Sequence, residues 1–184
     1  MKFTSQSIPD VVLIEPTVHG DNRGYFMESF RQDLFEEALG YKVNFIQDNE
    51  SKSTKGVLRG LHYQLPPYAQ SKLVRVIKGS VLDVAVDIRK SSPTFGHHVT
   101  AELTAENKHQ LFLPHGFAHG FVVLSESATF IYKSDNIYKI EYERGISFDD
   151  KDLSIDWQLP MDSLQLSDKD QSQPTLANAK DLFE

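Results

Sequence analysis

From Val81 to Arg89 the chain reads VLDVAVDIR, in which Leu82, Val84, Val86 and Ile88 alternate with Asp83, Ala85 and Asp87. A period of two sends neighbouring side chains to opposite faces of an extended backbone, so this run specifies a two-faced β-strand. Gly79-Ser80 separates it from a preceding strand, Lys72 to Lys78, and Ser91 to Gly96 turns the chain into His98 to Leu103 and His109 to Leu113. The same reading gives strands over Val11 to Glu15, Gly24 to Phe30, Val43 to Asn49, Val57 to Gln64, the PHGFAHGFVVL run from Pro114, and Ala128 to Lys133. Between them, Leu34, Phe35, Ala38 and Leu39 fall at helical spacing with Gly40 behind them, which predicts one short helix over Gln32 to Leu39. Roughly nine or ten short strands punctuated by turns, with so little helix, predict an all-β sandwich or barrel.

A chain of 184 residues is enough for one domain with a sizeable core, and the whole span 1–184 is read as a single domain. The stretch beyond Gly145 is less regular, but Leu164, Leu166 and Leu176 predict that it packs back rather than trailing away. The net charge of -7 argues against broad nucleic-acid binding, which relies on a positive surface, yet leaves room for a local basic pocket. No cysteine is present, which removes disulfides and thiolate metal sites. Pro9 and Asp10 break the apolar character of the N-terminus, which makes a poor signal peptide. No apolar run approaches the ~20 residues needed to cross a bilayer, so no membrane partner and a cytoplasmic location are expected.

Val57 to Lys72, VLRGLHYQLPPYAQSK, brings Arg59, His62 and Lys72 into one short segment. Arginine offers a fixed cationic fork for phosphate, lysine a compact point charge, and histidine a base that titrates near neutral pH. Together they are the parts needed to remove a proton beside a carbonyl group. The plainer alternative is two strands and a Pro-Pro turn with three charged residues in water. Arg59 and His62 also have opposite parity, so a regular strand would point them to opposite faces. Gly60 between them is a place where a bulge could re-aim one of them. Elsewhere, Phe26 taken alone reads as core, with Arg23 and Glu28 as solvated charges. Gln47-Asp48-Asn49 is a polar cluster that could face a ligand or begin a turn.

Pro114-His115-Gly116-Phe117-Ala118-His119 resembles the second signature motif of the cupin superfamily, whose fold is a jelly-roll barrel. Metal-binding cupins need two further histidines and a glutamate from an earlier strand. The matching segment here, His62-Tyr63-Gln64, offers one imidazole and no following glutamate, so no metal is expected. His97-His98 does not supply the deficit, because adjacent strand residues face opposite ways.

In order and spacing, VLRGLHYQ, KLVRVIKG, DVAVDIRKSSPTFG, AEN, PHGFAHGF and IYK resemble the dTDP-4-dehydrorhamnose 3,5-epimerases, over about Pro9 to Pro174. The resemblance implies a cupin-type jelly-roll β-barrel with one or two short peripheral helices, a dTDP-sugar substrate, a homodimer, and no metal or organic cofactor. It implies catalytic roles for four residues: His62 as base, Asp170 as its partner, Tyr132 as the acid on the opposite face, and Lys72 at the enolate oxygen. Substrate contacts would come from Arg23, Phe26, Glu28, Gln47, Asn49, Arg59, His119, Tyr138, Glu143 and Lys169, with Arg23 to Glu28 reaching into the partner's site. Without the resemblance, His119 and Tyr132 read as core residues and Asp170 as a solvated tail charge. Departures from the family pattern are mild: Phe148 precedes an acidic pair where tryptophan is frequent, His98 replaces another aromatic position, and Ser71 stands where glycine is common.

Overall fold

The computed structural model describes residues 1–184. It contains thirteen strands and two short helices, joined by turns and single 3-10 turns. One sheet has six strands in the order β1 (Lys2–Ser5), β2 (Val12–Glu15), β10 (Gln110–Leu113), β7 (Lys72–Lys78), β12 (Ser127–Ser134) and β5 (Gln47–Thr54). The second has five, in the order β13 (Glu143–Gly145), β6 (Leu58–Gln64), β11 (Phe117–Val123), β8 (Ser80–Asp87) and β9 (His98–Thr104). A separate hairpin pairs β3 (Val18–Asp21) with β4 (Gly24–Met27). All pairings between these strands are antiparallel, and the two larger sheets face each other as the walls of a jelly roll, as the sequence predicts.

The period-two pattern accounts for the layering. Val81 and Ala85 of β8 point between the sheets and join Val74, Val76, Val99, Leu103, Leu111, Phe117, Phe121 and Phe130 in the inner core. Leu82, Val84 and Val86 point to the other face, where they meet Leu58, Leu61, Ile146, Leu153, Trp157 and Leu176. The tail does pack back: Leu164 and Leu166 lie against this outer layer, and Trp157 anchors it by donating its indole N–H to the Phe148 carbonyl at 2.9 Å. Covering that face turns the second face of β8 from a solvated surface into core. Asp83 and Asp87, in step with Val81 and Ala85, lie on the inner side of β8 instead and sit at 0% exposure inside the fold.

The outer face of the six-stranded sheet is covered by α1 (Gln32–Leu39), which ends at Gly40 in the left-handed conformation, φ 77°, with its N–H bonded to the Glu36 carbonyl. Phe35 from this helix packs with Val12, Ile14, Val43, Leu73 and Phe112, its ring 5.0 Å from that of Phe112 at 88°. Phe35→Ala is expected to cost about 3–5 kcal/mol, the range for deleting a buried phenylalanine, read as a lowered denaturation midpoint with an unchanged slope.

Two strand expectations need correcting. Val43 to Asn49 is not one strand: Val43 is buried beneath α1, and pairing with β12 runs from Gln47 to Thr54. That strand reads QDNESKST, with no apolar residue to announce it, because it is an edge strand whose inward face lines a polar chamber. Phe26 is not core either, standing 68% exposed on the β3–β4 hairpin. Short strands β1, β3 and β13 had no separate sequence signal. No helix is long and apolar enough to cross a membrane.

Candidate active site

Between the two sheets opens a chamber of about 620 Å³. The six-stranded sheet contributes Asn49, Lys72, Phe130 and Tyr132; the five-stranded sheet contributes Arg59, His62, His119 and Phe121. The third wall is the C-terminal segment, which crosses over the opening and adds Ser167, Lys169 and Asp170.

Arg59 and His62 reach the chamber together because β6 carries one residue more than its neighbour between them. His62 pairs with His119 and Arg59 with Phe121, three positions on β6 against two on β11. Gly60 makes this bulge possible. Its φ is 137°, and a Cβ there would lie 2.5 Å from the Gly120 Cα, a clash of backbone that no side-chain rotation relieves. The parity conflict read from the sequence is resolved at the glycine that stands between the two residues.

His62 Nε2 and Asp170 Oδ1 are 2.5 Å apart. Asp170 belongs to α2 (Asp168–Gln171), whose N-cap Ser167 accepts from the Asp170 backbone N–H and returns its own hydroxyl proton to Asp170 Oδ2 at 2.9 Å. Only 4% of Asp170 is exposed, so the tail charge is a buried, aimed carboxylate. Burial pushes its carboxyl up, and the bonds and charges of His62 and Ser167 overcome this and hold it below the ordinary range. A carboxylate accepting from Nε2–H leaves Nδ1 as the imidazole's free lone pair. Glu143 Oε1 lies 3.9 Å from that nitrogen.

Lys72 and Tyr132 occupy the facing sheet, the ammonium 5.7 Å from the Tyr132 ring centroid. Burial is the dominant influence on Lys72 and lowers its pKa to about 8, against the pull of Asp83 and Glu143. Burial also raises the Tyr132 phenol, and the Glu143 charge adds to this, so the hydroxyl stays protonated through neutral pH. His119 is buried, its Nε2 2.9 Å from Asp83 Oδ2 and its ring stacked on Phe130. Burial raises the Asp83 carboxyl, partly countered by His119 and Lys72. Asp83 is the buried partner of a chamber residue that the sequence reading missed, since it reads as one of the polar positions of an alternating strand. The available signal was that a carboxylate flanked by valine and leucine in the most apolar strand has no water to face.

The remaining expected residues divide into two groups. Gln47, Tyr138 and Glu143 adjoin the chamber through hydrogen bonds. Gln47 donates to Asn49 at 2.9 Å and accepts from the Tyr138 backbone N–H, while Glu143 Oε2 accepts from the Tyr138 hydroxyl at 2.7 Å and from Lys169 at 2.6 Å. Arg23, Phe26 and Glu28 do not line the chamber: they sit on or beside the exposed hairpin, where Arg23 is paired with Asp21 and Glu28 with Arg31. No three His, Cys, Asp or Glu side chains converge in the arrangement a metal ion needs, and the two chamber histidines are each bonded to a carboxylate.

A jelly-roll chamber with an imidazole–carboxylate pair on one wall, a protonated phenol and a lysine on the other, and an arginine nearby has the groups of a cupin-type proton-transfer enzyme and the charge to receive an anionic substrate. Comparison with known proteins narrows the class. Residues 5–178 match the family model described as dTDP-4-dehydrorhamnose 3,5-epimerase. A protein of that name from Shigella flexneri is 62% identical over 170 residues, 92% of this chain and 93% of the relative. The crystal structure of a dTDP-6-deoxy-D-glucose-3,5-epimerase from Legionella pneumophila, in complex with dTDP-4-keto-L-rhamnose, superposes with a TM-score of 0.93 at 49% identity, covering 97% of this chain and 94% of that one. A 3'-monoepimerase from Streptomyces bikiniensis in complex with dTDP-quinovose matches at TM-score 0.87 and 36% identity, covering 94% and 86%. This chain belongs to the dTDP-4-dehydrorhamnose 3,5-epimerase family.

Proposed function

We propose that this protein inverts C3 and C5 of dTDP-4-dehydro-6-deoxy-D-glucose, giving dTDP-4-dehydro-L-rhamnose for dTDP-rhamnose biosynthesis. The observation that carries the reading is the placement of His62 and Tyr132 on opposing sheets, so that a sugar between them meets a base on one face and an acid on the other. The C4 ketone acidifies the neighbouring C–H bonds. His62, oriented through Nε2 by Asp170, takes a proton at Nδ1; the charge passes to the C4 oxygen as an enolate; and Tyr132 delivers a proton from the other side. Lys72 stabilises the enolate oxygen by its charge in a partly dry site, where an ammonium counts for more than in water. The reaction moves protons only and consumes no oxidant or reductant.

Arg59, Lys169 and His119 contact the sugar nucleotide, the arginine at the diphosphate by its bidentate fork. Gln47 and Asn49 read polar edges of the nucleotide, Glu143 binds beside them, and Tyr138 offers a stacking face. Arg23, Phe26 and Glu28 complete the site in trans. The protein acts as a homodimer whose exposed β3–β4 hairpin closes the partner's chamber, which accounts for an exposed Phe26 with no role in its own fold.

Inversion of a single centre is the second reading, favoured by the match to a 3'-monoepimerase. The higher identity to the Shigella 3,5-epimerase, 62% against 36%, supports the double reaction. Product identification by NMR tests it: the L-rhamno configuration is expected, and a product inverted only at C3 would replace the proposal with the second reading.

Lys72 makes the rate depend on pH in a definite direction. Its charged form exists below a pKa of about 8, so kcat/KM for the free enzyme is expected to fall about tenfold per unit as pH rises beyond that value. A profile flat to pH ~10, the range of an unperturbed lysine, would contradict the lowered pKa, and one flat beyond that range would remove the ammonium from the reaction.

A further inference from the structure

Two successive inversions by one base and one acid create a proton debt that the four catalytic groups do not themselves settle. In the first, a proton leaves the substrate for His62 Nδ1 and another leaves the Tyr132 hydroxyl for the opposite face of the carbon. The sugar is inverted and neutral, and the enzyme is left with an imidazolium and a phenolate. Neither group can repeat its task until one proton has left His62 and one has returned to Tyr132.

The groups around His62 limit where that proton can go. Nε2 is committed to Asp170, whose second oxygen is occupied by the Ser167 hydroxyl. Nδ1, the nitrogen that receives the substrate proton, has Glu143 Oε1 3.9 Å away, close enough to meet on a small rotation of either side chain. The Glu143 side chain is 13% exposed, while its other oxygen, Oε2, is bonded to the Tyr138 hydroxyl at 2.7 Å. Tyr138 is 49% exposed and adjoins the chamber through this bond. Glu143 thus has one oxygen toward the base and the other toward a hydroxyl in contact with water. β13 fixes this position, because Gly145 pairs with His62 and Glu143 with Gln64.

We propose that Glu143 is the proton exit of the active site, relaying the proton from His62 Nδ1 through its carboxylate to the Tyr138 hydroxyl and bulk water between the two epimerisations. The step balances: the Nδ1–H bond breaks as an O–H bond forms on Glu143; the Tyr138 hydroxyl, which donates to the ionised carboxylate, turns its O–H to water and accepts from the protonated carboxyl, losing its own proton to water as it gains that one; and water returns a proton to the Tyr132 phenolate. The Lys169 ammonium at 2.6 Å and the Tyr138 bond make Glu143 a weak base, as a relay must be, since a group that kept the proton would stall the cycle. This inference rests on His62 being the base and adds a role to Glu143 beyond contacting substrate.

Glu143→Gln keeps the shape and an oxygen that can accept from Tyr138 and Lys169, but cannot take up a proton. The test follows deuterium entry at C3 and C5 by proton NMR in deuterated water, in a single turnover with enzyme in excess of substrate, for the wild type, Glu143→Gln and Tyr138→Phe, with and without added imidazole as a diffusible proton carrier. Glu143→Gln is expected to retain exchange at the first centre while conversion of that species to doubly exchanged product slows by about 10²-fold, the lower end of an acid–base contribution. Imidazole is expected to restore much of the loss, and Tyr138→Phe to show the same pattern more weakly. Equal slowing of both centres with no response to imidazole would reduce Glu143 to a binding residue and overturn the relay, as would wild-type behaviour of Glu143→Gln. A wild type that exchanged neither centre would instead strike the reading of His62, a result distinct from failure of the relay.

Discussion

His62→Ala is expected to lower turnover by roughly 10²–10⁴, to the point where inversion is hard to detect, because it removes the group that takes a proton from the sugar. The expectation comes from geometry rather than from the presence of a histidine. His62 is held by a carboxylate on Nε2, aimed into the chamber by the bulge at Gly60, and faced by a protonated phenol across the cavity. The fold should survive, since the imidazole is not part of either apolar layer, although Asp170 would lose a bond at a buried position. A companion His62→Gln, whose longer amide can still donate to Asp170, separates the two effects: circular dichroism and substrate binding should match the wild type while turnover stays as low as in the alanine variant. Substantial turnover in either variant would remove His62 as the base.

Tyr132→Phe is expected to have an effect of similar size on inversion, roughly 10²–10⁴, with a different signature. The base still removes the proton and Lys72 still stabilises the enolate, but no acid stands on the opposite face. The enolate then collects its proton back from His62. In deuterated water the substrate should acquire deuterium without inverting, so exchange outlasts epimerisation. The ring remains to pack against Phe130, its centroid 6.1 Å away, so loss of the hydroxyl alone should leave the wall in place. Disappearance of exchange together with inversion, with binding intact, would assign Tyr132 a role in forming the enolate instead.

The sequence made the inner strands legible because their residues obey one constraint, an alternation of faces with apolar side chains on both. Where function sets the composition, that signal fails. β5 is eight residues of QDNESKST, invisible to a search for buried faces, because Asn49 and its neighbours line the chamber and the alternate residues face water at a sheet edge. Asp83 and Asp87 look like a solvated face, yet they share the inner side of β8 with Val81 and Ala85, while the tail from Ile146 to Leu176 covers Leu82, Val84 and Val86 on the other. Asp170 could not be told from the other acidic residues of SDKDQSQ by pattern alone. What distinguishes it is a partner 108 residues earlier in the chain, a contact no local reading contains. Gly60 was different: parity demanded a break between Arg59 and His62, and glycine was the residue at which one could occur. The hairpin with Phe26 shows the reverse error, an aromatic taken for core that the fold leaves in solvent.

The central claim is that one imidazole–carboxylate pair and one phenol exchange protons with both carbons flanking the ketone. Proton NMR of the protein with dTDP-4-dehydro-6-deoxy-D-glucose in deuterated water addresses it directly. The account requires deuterium at both C3 and C5 of the product, with the His62→Ala variant exchanging neither. Deuterium at one carbon only, or exchange at both that persisted in the absence of His62, would contradict it.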